Sequence, residues 1–290
     1  MQNGWIILDK PSGLFSKSAA ARAARVFGEK KNGHIGTLDP MASGVLPVAI
    51  GNATKMVPFI EEHADRTKEY LFSVKFGFET DTLDITGKET NCNDFVPTPE
   101  VVTAQIPKFI GKLDQIPPVY SAVHIAGRRA YELARAGQMP DIPPRKIEVF
   151  SLELLDAIDD NFNFRMRCAP GTYVRSIARD LAHACNSLAT VTAIRRTKTS
   201  GFLLKNATTL DFLENLFNNG ADVSKYLAPV DSGLGDIPVL DLGSRSVKLY
   251  KNGGFVGVAS GDGVYRVYSD GVFIGIGTVT GGILRPKRTI

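Results

Sequence analysis

Apolar positions along the chain repeat either every second residue or at helical spacing, and the segments they mark are short. Glu69–Phe76 is the clearest strand: Tyr70, Phe72, Val74 and Phe76 fall on one face, Leu71, Ser73 and Lys75 on the other. Ile147–Ile158 and Asn161–Ala169 read as two further strands about the acidic turn Asp159-Asp160-Asn161. In the second of these, Phe162, Phe164, Met166 and Cys168 alternate with polar residues, which makes Cys168 a core residue. The run Gly4–Gly13 predicts a buried strand closing in a Pro-Gly turn, and Val45–Ile50 another buried strand. A short strand is expected just before Ile194-Arg195-Arg196.

Helices are predicted between them. Ser16 is placed to cap an alanine-rich helix that reaches Phe27 and stops at Gly28. Thr54–Glu62 predicts a short helix, and Thr98-Pro99-Glu100 opens one that runs to about Ile110, disturbed by Pro107. Val174, Ile177, Ala178, Leu181 and Cys185 form an apolar stripe at helical spacing, and Thr209–Phe217 is amphipathic. The Pro/Gly-rich run Pro229–Pro238 predicts a linker. Beyond it lie short strands and glycines, with a hairpin of Tyr265–Ser269 and Val272–Ile276 about Asp270-Gly271.

Composition narrows the function classes. At 290 residues, 43% hydrophobic and 22% charged, the chain has the make-up of one large globular domain plus a small one. No apolar run reaches a membrane span, and the first residues form no signal peptide. Cys92, Cys168 and Cys185 are odd in number and widely spaced, so a reducing cytoplasm is expected, with neither a disulfide frame nor a zinc site. Four scattered histidines offer no metal cluster, and TDTLDITG lacks the glutamate of a calcium loop. Lys and Arg total 34 against 30 acidic residues, a net charge of +4 that permits a polyanionic partner.

The densest punctuation lies in Gly33–Lys55, where Gly33, Gly36, Gly44, Gly51, Pro40 and Pro47 specify a loop around Asp39. By itself an Asp-Pro pair there would be a turn former. The register says more. Gly33, His34, Gly36, Leu38, Asp39, Pro40, Ala42 and Gly44 fit G-H-x-G-x-L-D-P-x-A-x-G, and Leu46-Pro47, Gly51 and Ala53-Thr54-Lys55 continue the match. Other blocks fit patterns of the same set: L-D-K-P-x-G ending at Gly13, K-x-Y at Tyr70, T-D-T-x-D-x-x-G ending at Gly87, Q-x-P-P-x-Y-S-A from Gln115, G-T-Y-[IV]-R at Gly171–Arg175, and L-R-R at Ile194–Arg196, where Ile194 is a conservative departure from Leu. Together they resemble the TruB family of pseudouridine synthases over nearly all of residues 4–235.

That resemblance implies an α+β fold, with a mixed, mainly antiparallel sheet flanked by helices over residues 1–235 and a small PUA-like β domain over 236–290. It implies isomerisation of uridine 55 in the T loop of tRNA, without cofactor or metal, by a cytoplasmic monomer whose partner is the tRNA T arm. Asp39 would be the nucleophile and Arg175 its ion-pair partner; Tyr70 would stack on the base, and in a glycal-type path take the C2′ proton. Tyr173 and Ile194 would line the pocket, and His34 would fill the place of the flipped nucleotide. Lys10, Arg128, Arg129, Arg195 and Arg196 would contact RNA, with an RNA-contacting segment at about 115–145, where His124 replaces the family's usual Lys. Such contacts imply binding that weakens with salt. A carboxylate suits a sugar with oxocarbenium character, whereas a hydrolytic enzyme generally needs a second carboxylate for water, and the motif supplies one. Alternative readings are a non-catalytic tRNA-binding or tRNA-folding protein on the same scaffold, a hydrolytic base-removing enzyme, and a guide-RNA-dependent relative.

Overall fold

The computed structural model describes residues 2–125, 127–158 and 160–290. In chain order it contains β1 (Gly4–Lys10), α1 (Ser16–Val26), β2 (Asn32–His34), β3 (Ser43–Ile50), α2 (Val57–His63), β4 (Lys68–Phe76), β5 (Phe78–Thr80) and β6 (Glu89–Cys92). Next come α3 (Pro99–Gln105), β7 (Gly111–Gln115), β8 (His124–Ile125), β9 (Arg128–Arg129), α4 (Ala130–Arg135), β10 (Arg145–Ile158), β11 (Asn161–Cys168), α5 (Val174–Ala184) and β12 (Ala189–Thr199). The remainder is β13 (Phe202–Leu203), β14 (Thr208–Thr209), α6 (Leu210–Asn218), β15 (Leu227–Ala228), β16 (Val239–Asp241), α7 (Ser244–Lys251), β17 (Val256–Gly257), β18 (Gly263–Ser269), β19 (Val272–Thr280) and β20 (Ile283–Thr289). These group into two compact units: the chain up to Leu38 with Val45–Arg66 and Thr199–Ile290, and Asp39–Gly44 with Thr67–Lys198.

In the first unit β1 is covered on both faces, as its continuous apolar run requires. Ile6 and Leu8 pack with the alanines of α1 and with Leu210 and Leu213 of α6. Trp5 packs on the other side with Met56, Ile60 and Phe202. The C-terminal strands form a separate five-stranded sheet in the order β16-β18-β19-β20-β17, around Leu240, Tyr250, Val267 and Leu284. Its central hairpin turns at Asp270 (φ 50°) and Gly271 (φ 73°), the pair of positive φ values that a two-residue turn of matching twist requires.

Three expectations change in this unit. Ser16 is the first residue of α1 and not its cap: its buried hydroxyl donates to the Leu38 carbonyl and accepts the Leu38 amide, both at 2.8 Å. The run Pro229–Pro238 is no loose tether. Its Pro and Gly residues make successive turns that bury Leu234 and Ile237, while Trp5 Nε1 donates to the Val230 carbonyl and Arg266 Nε to that of Ile237, each at 2.9 Å. Past it, α7 is a helix where only strands were expected; Tyr250 is its buried residue.

The second unit is built on the sheet order β12-β4-β11-β10-β7. Strands β4 and β11 pair antiparallel with Phe72 opposite Phe164, and these rings stack at 5.1 Å. Tyr70, Phe72, Val74 and Phe76 are all buried, as the alternation predicts, and Cys168 lies in the core with its thiol pushed up to about 11 by burial. Ile194-Arg195-Arg196 lie inside the eleven-residue strand β12, not after a short one. Asp159, part of the predicted acidic turn, lies outside the described residues. Among the described residues no helix is long and apolar enough to cross a membrane.

The end of the Asp39 loop is fixed by a close backbone approach. Ser43 and Gly44 pair in parallel with Arg195 and Arg196. Gly44 has φ 103°, and a Cβ there would stand 2.2 Å from the Arg196 carbonyl oxygen and 2.6 Å from its nitrogen. Gly111 has almost the same φ, 101°, with open space around its Cβ position. Gly44→Ala is therefore expected to cost roughly 3 kcal/mol or more, and Gly111→Ala only about 1–2 kcal/mol. Equal losses in chemical denaturation would contradict the close approach.

Candidate active site

The centre of the site is a buried guanidinium. Arg175 lies in the first turn of α5, its side chain only 4% exposed. Its Nη2 meets Asp39 Oδ2 at 2.8 Å and donates to the Tyr120 carbonyl at 3.1 Å. Its Nη1 donates to the Thr82 carbonyl at 2.7 Å and lies 3.5 Å from Asp84 Oδ2. A cation in such a place is tolerable only when paired and hydrogen-bonded, and the planar fork of Arg suits acceptors on several sides. Asp39 differs from its partner in being 39% exposed, so the carboxylate held from behind by Arg175 is reachable from in front.

The T-D-T-x-D-x-x-G match reads in the sequence as a structured turn near the active site, and Asp84 belongs to it. In the structure it is buried, and its Oδ1 accepts from the Thr82 hydroxyl at 2.9 Å and from the Thr86 amide at 3.0 Å and hydroxyl at 2.5 Å. The T-D-T-x-D-x-x-G spacing is thus an anion held by two threonines beside Arg175. Among the described residues no group of three or more His, Cys, Asp or Glu side chains could hold a metal ion.

Around this centre the second unit brings together several of the residues singled out by sequence. Tyr70 is buried in β4, and burial pushes its phenol up to about 12, with nearby Arg196 opposing the rise. Tyr173 immediately precedes α5, packs against Val123, Ala130 and Ile142, and has its phenol raised by burial. Ile194 is buried on β12, and its carbonyl accepts from the Ser43 hydroxyl at 3.4 Å. Arg195 Nη1 donates to that same hydroxyl at 3.3 Å. Arg128 and Arg129 are exposed on β9, with Arg129 and Arg135 lying 6.0 and 5.6 Å from the Tyr131 ring centroid.

Two expectations are corrected. Arg196 is fully buried and is a hydrogen-bond partner of the Tyr70 side chain, with burial lowering its own pKa, so it is not a cation exposed to RNA. Lys10, in the first unit, is also fully buried, and its ammonium donates to the carbonyls of Pro11 and Leu14 at 2.9 and 2.7 Å. It ties the Pro-Gly turn closed from inside and does not face a phosphate. In the same unit His34 ends β2, with Nε2 3.4 Å from the Thr37 hydroxyl.

Known proteins agree with this architecture. The chain is similar in fold to one in a solved H/ACA RNP bound to a substrate RNA containing 2′-deoxyuridine, with TM-score 0.71, 21% identity, and coverage of 99% of this chain and 84% of that one. It is equally similar to a chain of an archaeal box H/ACA sRNP complex, with TM-score 0.71, 22% identity, and coverage of 99% and 85%. These likenesses define the fold class, a mixed α+β fold with a C-terminal β domain. The model of the TruB family pseudouridylate synthase N-terminal domain matches residues 24–174, and that of the TruB C-terminal domain matches 238–290. Relatives called tRNA pseudouridine synthase B include those of Caulobacter vibrioides, 46% identical over 82% of this chain and 76% of that protein, and Ehrlichia chaffeensis, 41% identical over 98% of both. That of Bradyrhizobium diazoefficiens is 40% identical over 99% of this chain and 85% of its own. The chain belongs to the TruB family of pseudouridine synthases.

The buried phenol gives a pH test. With its pKa raised from an ordinary value near 10 to about 12, Tyr70 holds its proton more tightly in the folded protein than in the unfolded chain. The resulting stability is complete below pH 10 and is lost as pH rises toward 12. Tyr70→Phe removes this contribution, so the stability gap between wild type and variant should narrow from pH 10 to 12 in denaturant titrations. A gap constant with pH would contradict the assignment.

Proposed function

We propose that this protein isomerises uridine to pseudouridine at position 55 in the T loop of tRNA, with Asp39 as the acting carboxylate. The observation that carries the reading is the Asp39–Arg175 pair: an accessible carboxylate aimed by a buried cation at 2.8 Å. The relatives' shared name supports tRNA as the substrate class.

In the proposed reaction the N1–C1′ bond breaks, the uracil turns while held, and C5 bonds to C1′. The C5 proton leaves and N1 gains one, so no atom is added and no oxidant or energy donor is consumed. Asp39 meets the positive character developing at C1′, stabilising or trapping the sugar. Arg175 fixes the direction of that carboxylate. A phenol pushed up to about 12 is protonated at neutral pH, which favours Tyr70 as a stacking surface over a resident base. Tyr173 and Ile194 complete an apolar surround that keeps water from the cleaved sugar while the base turns.

The nucleotide must leave its stack to reach Asp39, at a cost of roughly a few kcal/mol. His34, five residues earlier in the chain, is proposed to fill the vacated position. Exposed Arg128 and Arg129, together with Arg195, are proposed to hold the T-arm backbone.

Tritium release from a T-arm hairpin carrying C5-labelled uridine tests this directly. Wild type should release tritium and leave pseudouridine in the RNA, and Asp39→Asn should be at least about a thousandfold slower. Binding without release would point to a tRNA-binding protein, and free uracil with an abasic sugar to a hydrolase. Either result, or full turnover by Asp39→Asn, would overturn the proposal.

A further inference from the structure

Arg175 is the side chain that touches Asp39, but the backbone that carries it is held by a residue to which the proposed reaction assigns no part. Gln115, the last residue of β7, is 2% exposed. Its Oε1 accepts the Tyr173 amide at 2.9 Å and its Nε2 donates to the Tyr173 carbonyl at 3.1 Å. Both backbone groups of one residue are therefore paired with one side chain, as a neighbouring strand would pair them. The Tyr173 carbonyl also accepts the Ile177 amide at 3.1 Å and so opens the hydrogen-bond ladder of α5. The Tyr173 side chain itself does not cap that helix start.

Residues following Gln115 extend the same grip. The Ile116 carbonyl accepts from the Ser176 hydroxyl at 2.8 Å and from Arg179 Nη2 at 3.1 Å. The Tyr120 carbonyl accepts from Arg175 Nη2, the nitrogen that meets Asp39. These hydrogen bonds reach Arg175, Ser176 and Arg179, all in the first two turns of the helix. Gln115 is the contact that fixes the backbone itself.

We propose that Gln115 is a positioning residue for the reaction: its primary amide locks the Tyr173 backbone, and with it the direction from which Arg175 holds Asp39 and the placing of the Tyr173 ring. The inference rests on the function proposed above. Its chemistry is specific to an amide. Leu at this position would leave the Tyr173 amide unpaired and take from its carbonyl one of two donors, the Ile177 amide remaining. A carboxylate could still accept the Tyr173 amide, but its second oxygen would face the Tyr173 carbonyl, a clash relieved when the acid is protonated and donates.

The test is single-turnover pseudouridine formation on a T-arm hairpin, with enzyme in excess, for wild type, Asp39→Asn, Gln115→Leu and Gln115→Glu. Hairpin affinity is measured alongside, and circular dichroism verifies folding. Gln115→Leu should slow the step by about 10- to 100-fold while the hairpin Kd stays within about threefold, as misplacement by about an ångström can do. Gln115→Glu should be comparably slow at pH 8 and regain at least about fivefold, relative to wild type, by pH 5.5, a recovery that Gln115→Leu lacks. If Gln115→Leu fails to fold, the pH profile of the isosteric Glu variant decides. A Gln115→Leu rate within twofold of wild type, a loss confined to Kd, or a flat Glu-to-wild-type ratio across pH would overturn the inference while wild-type turnover upholds the function. A wild type without turnover would overturn both.

Discussion

The structure depends on keeping one guanidinium in a nearly dry place. Arg175 draws acceptors from three separate stretches: Asp39 in its Pro-flanked loop, Thr82 and Asp84 in a turn after β5, and Tyr120 beyond β7. Burying a cation is costly unless its donors are met, and leaving one partner out exposes the full penalty. The convergence of these loops is thus a condition of the fold. Of the two carboxylates, Asp84 is sealed in by threonine donors, whereas Asp39 keeps an accessible face. One acid anchors the arginine; the other is presented by it.

A second constraint sits behind the first. Gly44 lets the loop that carries Asp39 press onto the backbone of Arg196, and the Arg196 side chain turns inward to Tyr70. The close approach sets the loop against β12, and the buried arginine sets the aromatic ring. Two arginines of the second unit are therefore buried cations, each in contact with one neighbour of the site: Arg175 with Asp39 and Arg196 with Tyr70. The basic side chains open to a polyanion are others, such as Arg128 and Arg129.

Local rules carried much of the reading. Period-two alternation located β4 and β11 because each buries one face, and the glycine and proline register around Asp39 identified the family because that loop's backbone is so narrowly specified. Side-chain fate was harder to see. Lys10 and Arg196 look like RNA cations in sequence, yet both are buried: Lys10 folds back onto the carbonyls of its own turn and Arg196 onto a phenol from a distant strand, and a linear pattern shows neither. Ser16 resembles a helix cap, but its hydroxyl serves Leu38 from 22 residues away. The run from Pro229 to Pro238 has linker composition, yet Leu234 and Ile237 between its turns are apolar enough to be drawn into a core. Asp84 and Gln115 were visible as motif letters; their partners, 91 and 58 positions away, were not.

The most direct measurement is the single-turnover rate of Arg175→Lys on a T-arm hairpin, with affinity measured in parallel. Lysine keeps the positive charge but cannot serve acceptors on several sides with a rigid fork. If Arg175 acts by aiming Asp39, the rate falls at least about a hundredfold while Kd changes less than about threefold. A rate within threefold of wild type would mean that charge alone suffices, and the account built on this guanidinium would be wrong.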